Sequence, residues 1–175
     1  MHLAVPVLLL RLLWRSRQHI GYRSQILHRL GCCGRHRASR SGERVWIHAV
    51  SVGETLAIVP LPERLLAERP DLSVLATSTA PSGAEQVQQK LGGRVEWCWA
   101  PFDTPGAVRR FLQYWHLTLG ALVETEIWPN SLTHAAARSV PMVLLNSRLS
   151  ETAAGYARVA GLTPQTLGYF AGVAA

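Results

Sequence analysis

Val45-Trp-Ile-His-Ala-Val-Ser-Val-Gly-Glu54 is an apolar run that ends abruptly in small residues and presents one carboxylate, Glu54. The run is typical of a buried strand, and residues 54–69 then place apolar side chains at helical spacing. In α/β enzymes, catalytic groups often lie where a strand ends and the next helix begins. Glu54 is therefore predicted to be either a catalytic group or a first-turn acid that interacts with the helix dipole.

The rest of the chain alternates short apolar runs with helical patterns. Pro60 and Pro62 predict a bend near the start of the 54–69 helix, because proline lacks the backbone N–H. The alternation predicts an α/β fold, a Rossmann-like parallel sheet flanked by helices with right-handed crossovers. Loops that follow parallel strands meet at one edge, which we expect to be the binding face. The predicted strands are 45–49, 73–77, 95–99, 119–123 and 142–145, and the predicted helices are 54–69, 82–91, 105–115, 129–139 and 150–160.

The net charge of +7 is concentrated in one segment. Residues 1–44 carry nine Arg and one acid, whereas residues 45–175 are close to neutral. Neither part shows a nucleic-acid-binding module, in which basic residues are interleaved with aromatics or set on a recognition helix. We therefore expect an anionic membrane surface, and no nucleic acid, as the partner of the basic segment.

The N-terminal segment has the character of an interfacial helix. Residues 3–14 are apolar apart from Arg11, and Trp14-Arg-Ser-Arg17 follows. About ten apolar residues are too few to span a bilayer, which needs about 20. We therefore predict a membrane-associated helical segment over residues 1–30, a basic linker over 31–44, and a Rossmann-like domain over 45–175.

Three cysteines, Cys32, Cys33 and Cys98, are too few for a disulfide framework and predict a reducing compartment. His28 and His36 flank the first two, but adjacent cysteines rarely share a tetrahedral metal site. The sequence therefore predicts no metal, and, because a GxGxxG dinucleotide motif is also absent, no cofactor.

Five short strings of residues occur along this chain in the same order as in one protein family. They are His48–Glu54, Pro81–Gly83, Pro101–Phe111, Glu124–Asn130 and Asn146–Glu151. Together they resemble the Kdo transferases, glycosyltransferases that attach 3-deoxy-D-manno-octulosonic acid (Kdo) to the lipid A precursor in lipopolysaccharide biosynthesis.

The resemblance implies the amino-terminal, acceptor-binding half of a two-domain GT-B glycosyltransferase. Such an enzyme transfers Kdo from CMP-Kdo to lipid IVA at the cytoplasmic face of the bacterial inner membrane. The implied donor-binding carboxyl-terminal domain is not within the 175 residues, so the sequence predicts a truncated transferase. The alternative is a non-catalytic, membrane-associated remnant of such an enzyme.

The first string carries the implied chemistry. Glu54 resembles the general base that deprotonates the acceptor hydroxyl. Gly53 would let the backbone turn tightly with the acceptor close by, and Ser51 is a candidate substrate contact. A serine hydrolase that uses Ser51 is excluded, because the Gly-x-Ser-x-Gly elbow is missing.

The later strings add further candidates. Ser82 and Gly83 lie at the start of the predicted 82–91 helix, where an anionic group can bind, although an ordinary capped loop would have the same sequence. Glu124 and Glu126 are candidate catalytic or acceptor-positioning residues, or simply acids at a helix start. Asn146 and Arg148 are candidate substrate contacts, with a surface role as the alternative for Arg148. Asp103 is predicted to cap the 105–115 helix.

Overall fold

The computed structural model describes residues 26–33, 42–123, 128–146 and 168–174, which form a six-stranded parallel sheet flanked by helices. The sheet order is β3-β2-β1-β4-β5-β6, and every strand pairing is parallel. The strands are β1 (Arg44–His48), β2 (Ser73–Ser78), β3 (Glu96–Trp99), β4 (Leu119–Val123), β5 (Met142–Leu145) and β6 (Phe170–Val173). The helices are α1 (Ile26–Arg29), α2 (Val52–Ile58), α3 (Pro60–Glu68), α4 (Pro81–Leu91), α5 (Pro105–Trp115) and α6 (Pro129–Ala136).

Strand β1 lies at the centre of the sheet and is buried along its whole length. It pairs with β2 on one side and with β4 on the other, so that Val45 lies between Val74 and Leu119. Such central strands need apolar residues on both faces, which explains the continuous apolar run in the sequence. The predicted parallel α/β fold is confirmed, with β4 and β5 at the predicted bounds.

The side chains of β1 alternate between two apolar clusters, one on each face of the sheet. Trp46 packs against Phe111 of α5, with 5.1 Å between the ring centroids. Ile47 belongs to the opposite cluster, with Ile58 of α2. On the first face Gly120 leaves room for the Met142 side chain, because a Cβ there would lie 2.3 Å from the Met142 sulfur.

Two parts of the predicted element pattern need correction. The predicted 54–69 helix is two helices, α2 and α3, which meet at Val59 just before Pro60. This break agrees with the bend expected from the prolines. Strand β6 was not predicted, because Phe170–Val173 is only four residues long and contains Ala and Gly, which are uncommon in strands. The predicted 150–160 helix lies outside the described residues.

Residues 26–33 pack against the sheet domain rather than extending away from it. Arg29 is buried, and its carbonyl oxygen accepts a hydrogen bond from the Phe102 N–H at 2.7 Å. At the other end of the predicted 31–44 linker, Arg44 is buried and begins β1. Within the described part of the chain, no helix has both the length and the apolar character needed to cross a membrane. The predicted interfacial segment lies mainly in residues 1–25, which are outside the described part.

Candidate functional site

The carboxyl edge of the sheet has a topological switch between β1 and β4. From β1 the chain continues to β2 on one side, whereas β4 is followed by β5 on the other. The loops that follow two such strands diverge and leave a crevice, which is the usual ligand position in open α/β sheets. Residues 49–51 and the start of α2 form the β1 side of this crevice.

Glu54 lies in the first turn of α2, as predicted, and is 7 % exposed. Its Oε2 accepts a hydrogen bond from the Val50 N–H at 2.7 Å, and its own N–H donates to Ser51 Oγ at 3.1 Å. This reciprocal arrangement closely resembles a capping box, in which the acid reaches back to the chain before the helix. One carboxylate oxygen is thus fixed by the backbone, and no donor among the described residues contacts the other, Oε1.

Ser51 and Gly53 belong to the same turn. Ser51 is the exposed N-cap of α2, and its hydroxyl is engaged by the Glu54 N–H. Gly53 lies within the helix, and a Cβ there would meet only Ser51 Oγ, at 3.9 Å. The predicted tight turn at Gly53 is therefore wrong, because the helix begins one residue earlier and imposes no glycine-specific conformation. Close approach of the acceptor at Gly53 stays a prediction.

The start of α4 lies beside this turn. Ser78 Oγ, at the end of β2, lies 3.2 Å from the Ala80 carbonyl oxygen and 3.4 Å from the Val50 carbonyl oxygen, so its one proton can be donated to either of the two loops. Gly83 is buried against Ser78, since a Cβ at Gly83 would lie 2.5 Å from Ser78 Oγ. This packing alone accounts for the glycine. Ser82 is exposed in the first turn, and Ala80, the N-cap residue, provides no side-chain cap.

The first string also contains a buried polar residue that was not predicted as part of the site. His48 is 2 % exposed; its Nδ1 is hydrogen-bonded to Thr77 Oγ1 at 2.8 Å, and Trp46 Nε1 donates to the same hydroxyl at 2.8 Å. Burial lowers the pKa of His48 to about 4, although contact with Thr77 acts in the opposite direction. His48 Nε2 is buried without a hydrogen-bond partner in the described part of the chain. The sequence signal for His48 is a histidine within an apolar run that is typical of a strand buried on both faces.

Trp128 packs edge-on against the His48 ring, with 5.4 Å between the ring centroids. A cavity of about 10 Å³, which is at the lower limit of the space that holds one water molecule, is lined by both rings. Trp128 thus lies over the carboxyl end of β1, and Val123 ends the neighbouring strand β4. The candidate acids Glu124 and Glu126 are between these residues in sequence, but both lie outside the described residues.

Asp103 connects the loop after β3 to α6. Its Oδ1 accepts hydrogen bonds from the Ser131 N–H at 2.8 Å and from Ser131 Oγ at 3.0 Å, and its Oδ2 accepts one from the Asn130 N–H at 3.0 Å. Asp103 therefore caps α6, and the prediction that it caps the 105–115 helix is wrong. The N-cap of that helix, Thr104, makes no side-chain cap. The capped N–H groups lie 27 and 28 residues away, which local sequence cannot reveal.

The remaining candidates are less well defined by the structure. Asn146 follows β5 in a left-handed conformation with φ of 50°, and β4 separates its strand from β1. Arg148 lies outside the described residues. Within the described ranges, no group of three or more His, Cys, Asp or Glu side chains is arranged to hold a metal ion.

Comparison with known proteins gives a consistent answer. A family model described as 3-deoxy-D-manno-octulosonic-acid transferase (kdotransferase) matches residues 24–175. A 3-deoxy-D-manno-octulosonic acid transferase of Bordetella pertussis is 38 % identical over 162 residues, which cover 89 % of this chain and 37 % of that protein. The Haemophilus influenzae transferase of the same name is 35 % identical over 133 residues, covering 76 % of this chain and 31 % of that protein.

A probable mitochondrial 3-deoxy-D-manno-octulosonic acid transferase of Arabidopsis thaliana is 34 % identical over 145 residues, covering 83 % of this chain and 32 % of that protein. The chain thus spans about a third of the length of these relatives. Because the family match covers most of the chain and includes the Glu54 turn, this chain belongs to the 3-deoxy-D-manno-octulosonic-acid transferase family.

Proposed function

We propose that this chain is the acceptor-binding, amino-terminal half of a GT-B glycosyltransferase that transfers Kdo from CMP-Kdo to lipid IVA. The observation that supports this most strongly is the position of Glu54. It is a buried carboxylate at the switch point of the sheet, with one oxygen held by the Val50 N–H. Kdo transfer is the proposed reaction because the chain belongs to the 3-deoxy-D-manno-octulosonic-acid transferase family.

In the proposed reaction, Glu54 is the general base. As the bond between the anomeric carbon of Kdo and CMP breaks, the acceptor hydroxyl attacks, and Oε1 of Glu54 takes its proton. The Val50 N–H fixes the orientation of the carboxylate and so limits its motion before proton transfer. A nucleoside monophosphate leaves with little need for protonation, so no second acid is required at the leaving oxygen.

The neighbouring helix start is proposed to hold an anionic group of a substrate. The helix α4 has eleven residues, its first turn faces the same edge as Glu54, and its N-cap residue Ala80 leaves the end without a side-chain cap. Backbone N–H groups and the helix dipole favour a phosphate there. Ser82 can add a hydroxyl, since it is exposed in that turn.

We also propose that the basic N-terminal segment binds the cytoplasmic face of the inner membrane. Two of the nine Arg in residues 1–44, Arg29 and Arg44, are buried in the domain. Of the other seven, Arg11 lies within the apolar 3–14 stretch and three more, at positions 15, 17 and 23, follow it closely, an arrangement suited to anionic lipid. Binding of the chain to anionic vesicles should weaken with added salt and be lost from a variant without residues 1–25. Unchanged binding by that variant would contradict the membrane proposal.

The activity is tested in a chimera that joins residues 1–175 to the remaining part of the Bordetella pertussis relative. We expect the chimera to transfer Kdo from CMP-Kdo to lipid IVA, detected as the mass gain of the lipid. The intact relative, assayed in parallel, is the positive control. A folded chimera without transfer, beside an active control, would contradict the proposed function.

A further inference from the structure

The segment 26–33 is held against the edge strand β3 by several contacts. Arg29 Nη2 donates to the Thr79 carbonyl at 3.0 Å, and its guanidinium carbon lies 4.1 Å from the centroid of the Trp99 ring. Arg110 Nε donates to the Leu30 carbonyl at 2.9 Å. These contacts connect the segment to the loop after β2, to β3 and to α5.

Gly31 packs tightly against α5 and so positions the two cysteines that follow it. It has φ of 81°, and a Cβ there would lie 2.1 Å from the Ala107 carbonyl oxygen, so only glycine fits against α5. Cys33, two residues later, is half-buried and packs against the apolar cluster that contains Cys98 and Trp115. The fold thus brings together two thiols that are far apart in sequence.

The two thiols lie at the same apolar cluster but differ in environment. Cys98 on β3 is buried, and burial raises its pKa. A hydrogen bond with Cys98 lowers the pKa of Cys33, more than burial opposes it. Cys33 is therefore the more nucleophilic and the more accessible of the pair. Cys32 is exposed on the surface and has no such contact with Cys98.

We propose that Cys33 and Cys98 are a reversible redox site that forms a disulfide under oxidising conditions and locks residues 26–33 onto the sheet. With oxidised glutathione as the oxidant, the Cys33 thiolate attacks one of its sulfurs, forms a mixed disulfide and expels one glutathione thiolate, which takes up a proton. Cys98 then loses its proton and attacks the Cys33 sulfur, and the second glutathione leaves as a thiol. Two protein thiols are oxidised and one glutathione disulfide is reduced to two thiols, and excess glutathione reverses the exchange.

The bridge would close a loop of about 65 residues that includes β1, β2 and α4. Closing a loop of this length restricts the unfolded chain, so the oxidised form should be more stable. It would also fasten the base of the N-terminal segment to the domain. This proposal is independent of the transferase activity and can be tested on the chain alone.

The test treats the reduced chain with oxidised glutathione, alkylates the remaining thiols, and locates the modified residues by peptide mass spectrometry. Because trypsin leaves Cys32 and Cys33 on one peptide, the Cys32→Ser variant is used to assign the bridge. We expect this variant to lose both free thiols, to yield a 33–98 cross-linked peptide, and to gain up to about 10 °C in Tm. Added glutathione should return Tm to the reduced value.

Two further variants complete the test. Cys33→Ser and Cys98→Ala should show no cross-link between β3 and residues 26–33 and no gain in Tm on oxidation. Since Cys98 is buried and its replacement can destabilise the fold, Cys33→Ser alone is sufficient for the comparison. A Cys32–Cys33 bridge, glutathione adducts without a cross-link, a Cys32–Cys98 bridge formed as readily in Cys33→Ser, or a lower Tm after oxidation would each overturn the proposal.

Discussion

Each end of strand β1 carries one buried basic side chain, and the two side chains differ in how fully they are hydrogen-bonded. At the amino end, Arg44 donates to Glu96 Oε1 from Nε at 3.1 Å and from Nη2 at 2.8 Å, and from Nη1 to the Trp115 carbonyl at 2.8 Å. At the carboxyl end, His48 is bonded only through Nδ1, and Nε2 is buried without a partner among the described residues. The amino end thus stabilises the sheet, whereas the carboxyl end keeps a buried imidazole nitrogen without a described partner, at the same edge of the sheet as Glu54.

The largest effect on stability is expected at the amino end. Arg44→Ala should lower the free energy of unfolding by about 2 to 3 kcal/mol, because the Trp115 carbonyl loses its partner and a void remains. Urea denaturation measures the change. Arg64→Ala is the matched control, since the Arg64–Glu68 pair is 82 % and 62 % exposed and should contribute less than about 0.5 kcal/mol. If the two substitutions lowered the free energy of unfolding equally, the buried contacts of Arg44 would not be what stabilises the amino end of β1.

At the carboxyl end of β1, His48 should make the free energy of unfolding depend on pH. The pKa of His48 is about 4 in the folded state and about 6.5 when unfolded, so below pH 6.5 the unfolded chain binds more protons. Stability therefore falls as pH decreases from 6.5 towards 4, and no further His48 contribution is lost below that. Between pH 7 and pH 5 the loss should be about 2 kcal/mol.

The non-titrating variant His48→Gln isolates this contribution. Its unfolding free energy, measured by urea denaturation at both pH values, should fall by about 2 kcal/mol less than that of the unchanged chain. Other groups, including His28, whose pKa burial also lowers, contribute equally to both proteins. Identical pH dependences would show that His48 is not held neutral by burial.

The smallest effect is expected at the loop that Asp103 joins to α6. Asp103→Ala should lower the free energy of unfolding by about 1 kcal/mol, the usual value for a lost N-cap. The amides of Asn130 and Ser131, which donate to Asp103, should exchange with solvent faster. Asp71→Ala is the control, because its carboxylate is at the surface and paired only with Arg69. Unchanged exchange at both amides would refute the capping role.

The sequence predicted the features that depend on local pattern. Strands β4 and β5 are short apolar runs, and their bounds were predicted correctly. Glu54 was predicted at a helix start, because small residues and a carboxylate followed an apolar run, and it lies there. The Asp103 cap was missed, since it forms across 27 residues of chain.

Features that depend on tertiary contacts were harder to predict. Arg44 was included in a basic linker, since a buried arginine is recognisable only through its partners Glu96 and Trp115. Strand β6 is short and contains Ala and Gly, which are uncommon in strands, and it is defined by its pairing with β5. The roles of Glu124, Glu126 and Arg148 stay predictions.

The account's central claim is that Glu54 acts chemically and is not only a helix cap. The most direct test is Glu54→Gln in the active chimera, measured as the single-turnover rate of Kdo transfer together with urea denaturation, with the exposed Glu85→Gln as control. We predict that Glu54→Gln lowers the rate by about 100-fold or more. The free energy of unfolding should change by less than about 1 kcal/mol, because glutamine can still accept the Val50 hydrogen bond. A Glu54→Gln chimera that transfers Kdo as fast as the Glu85→Gln control would contradict the claim.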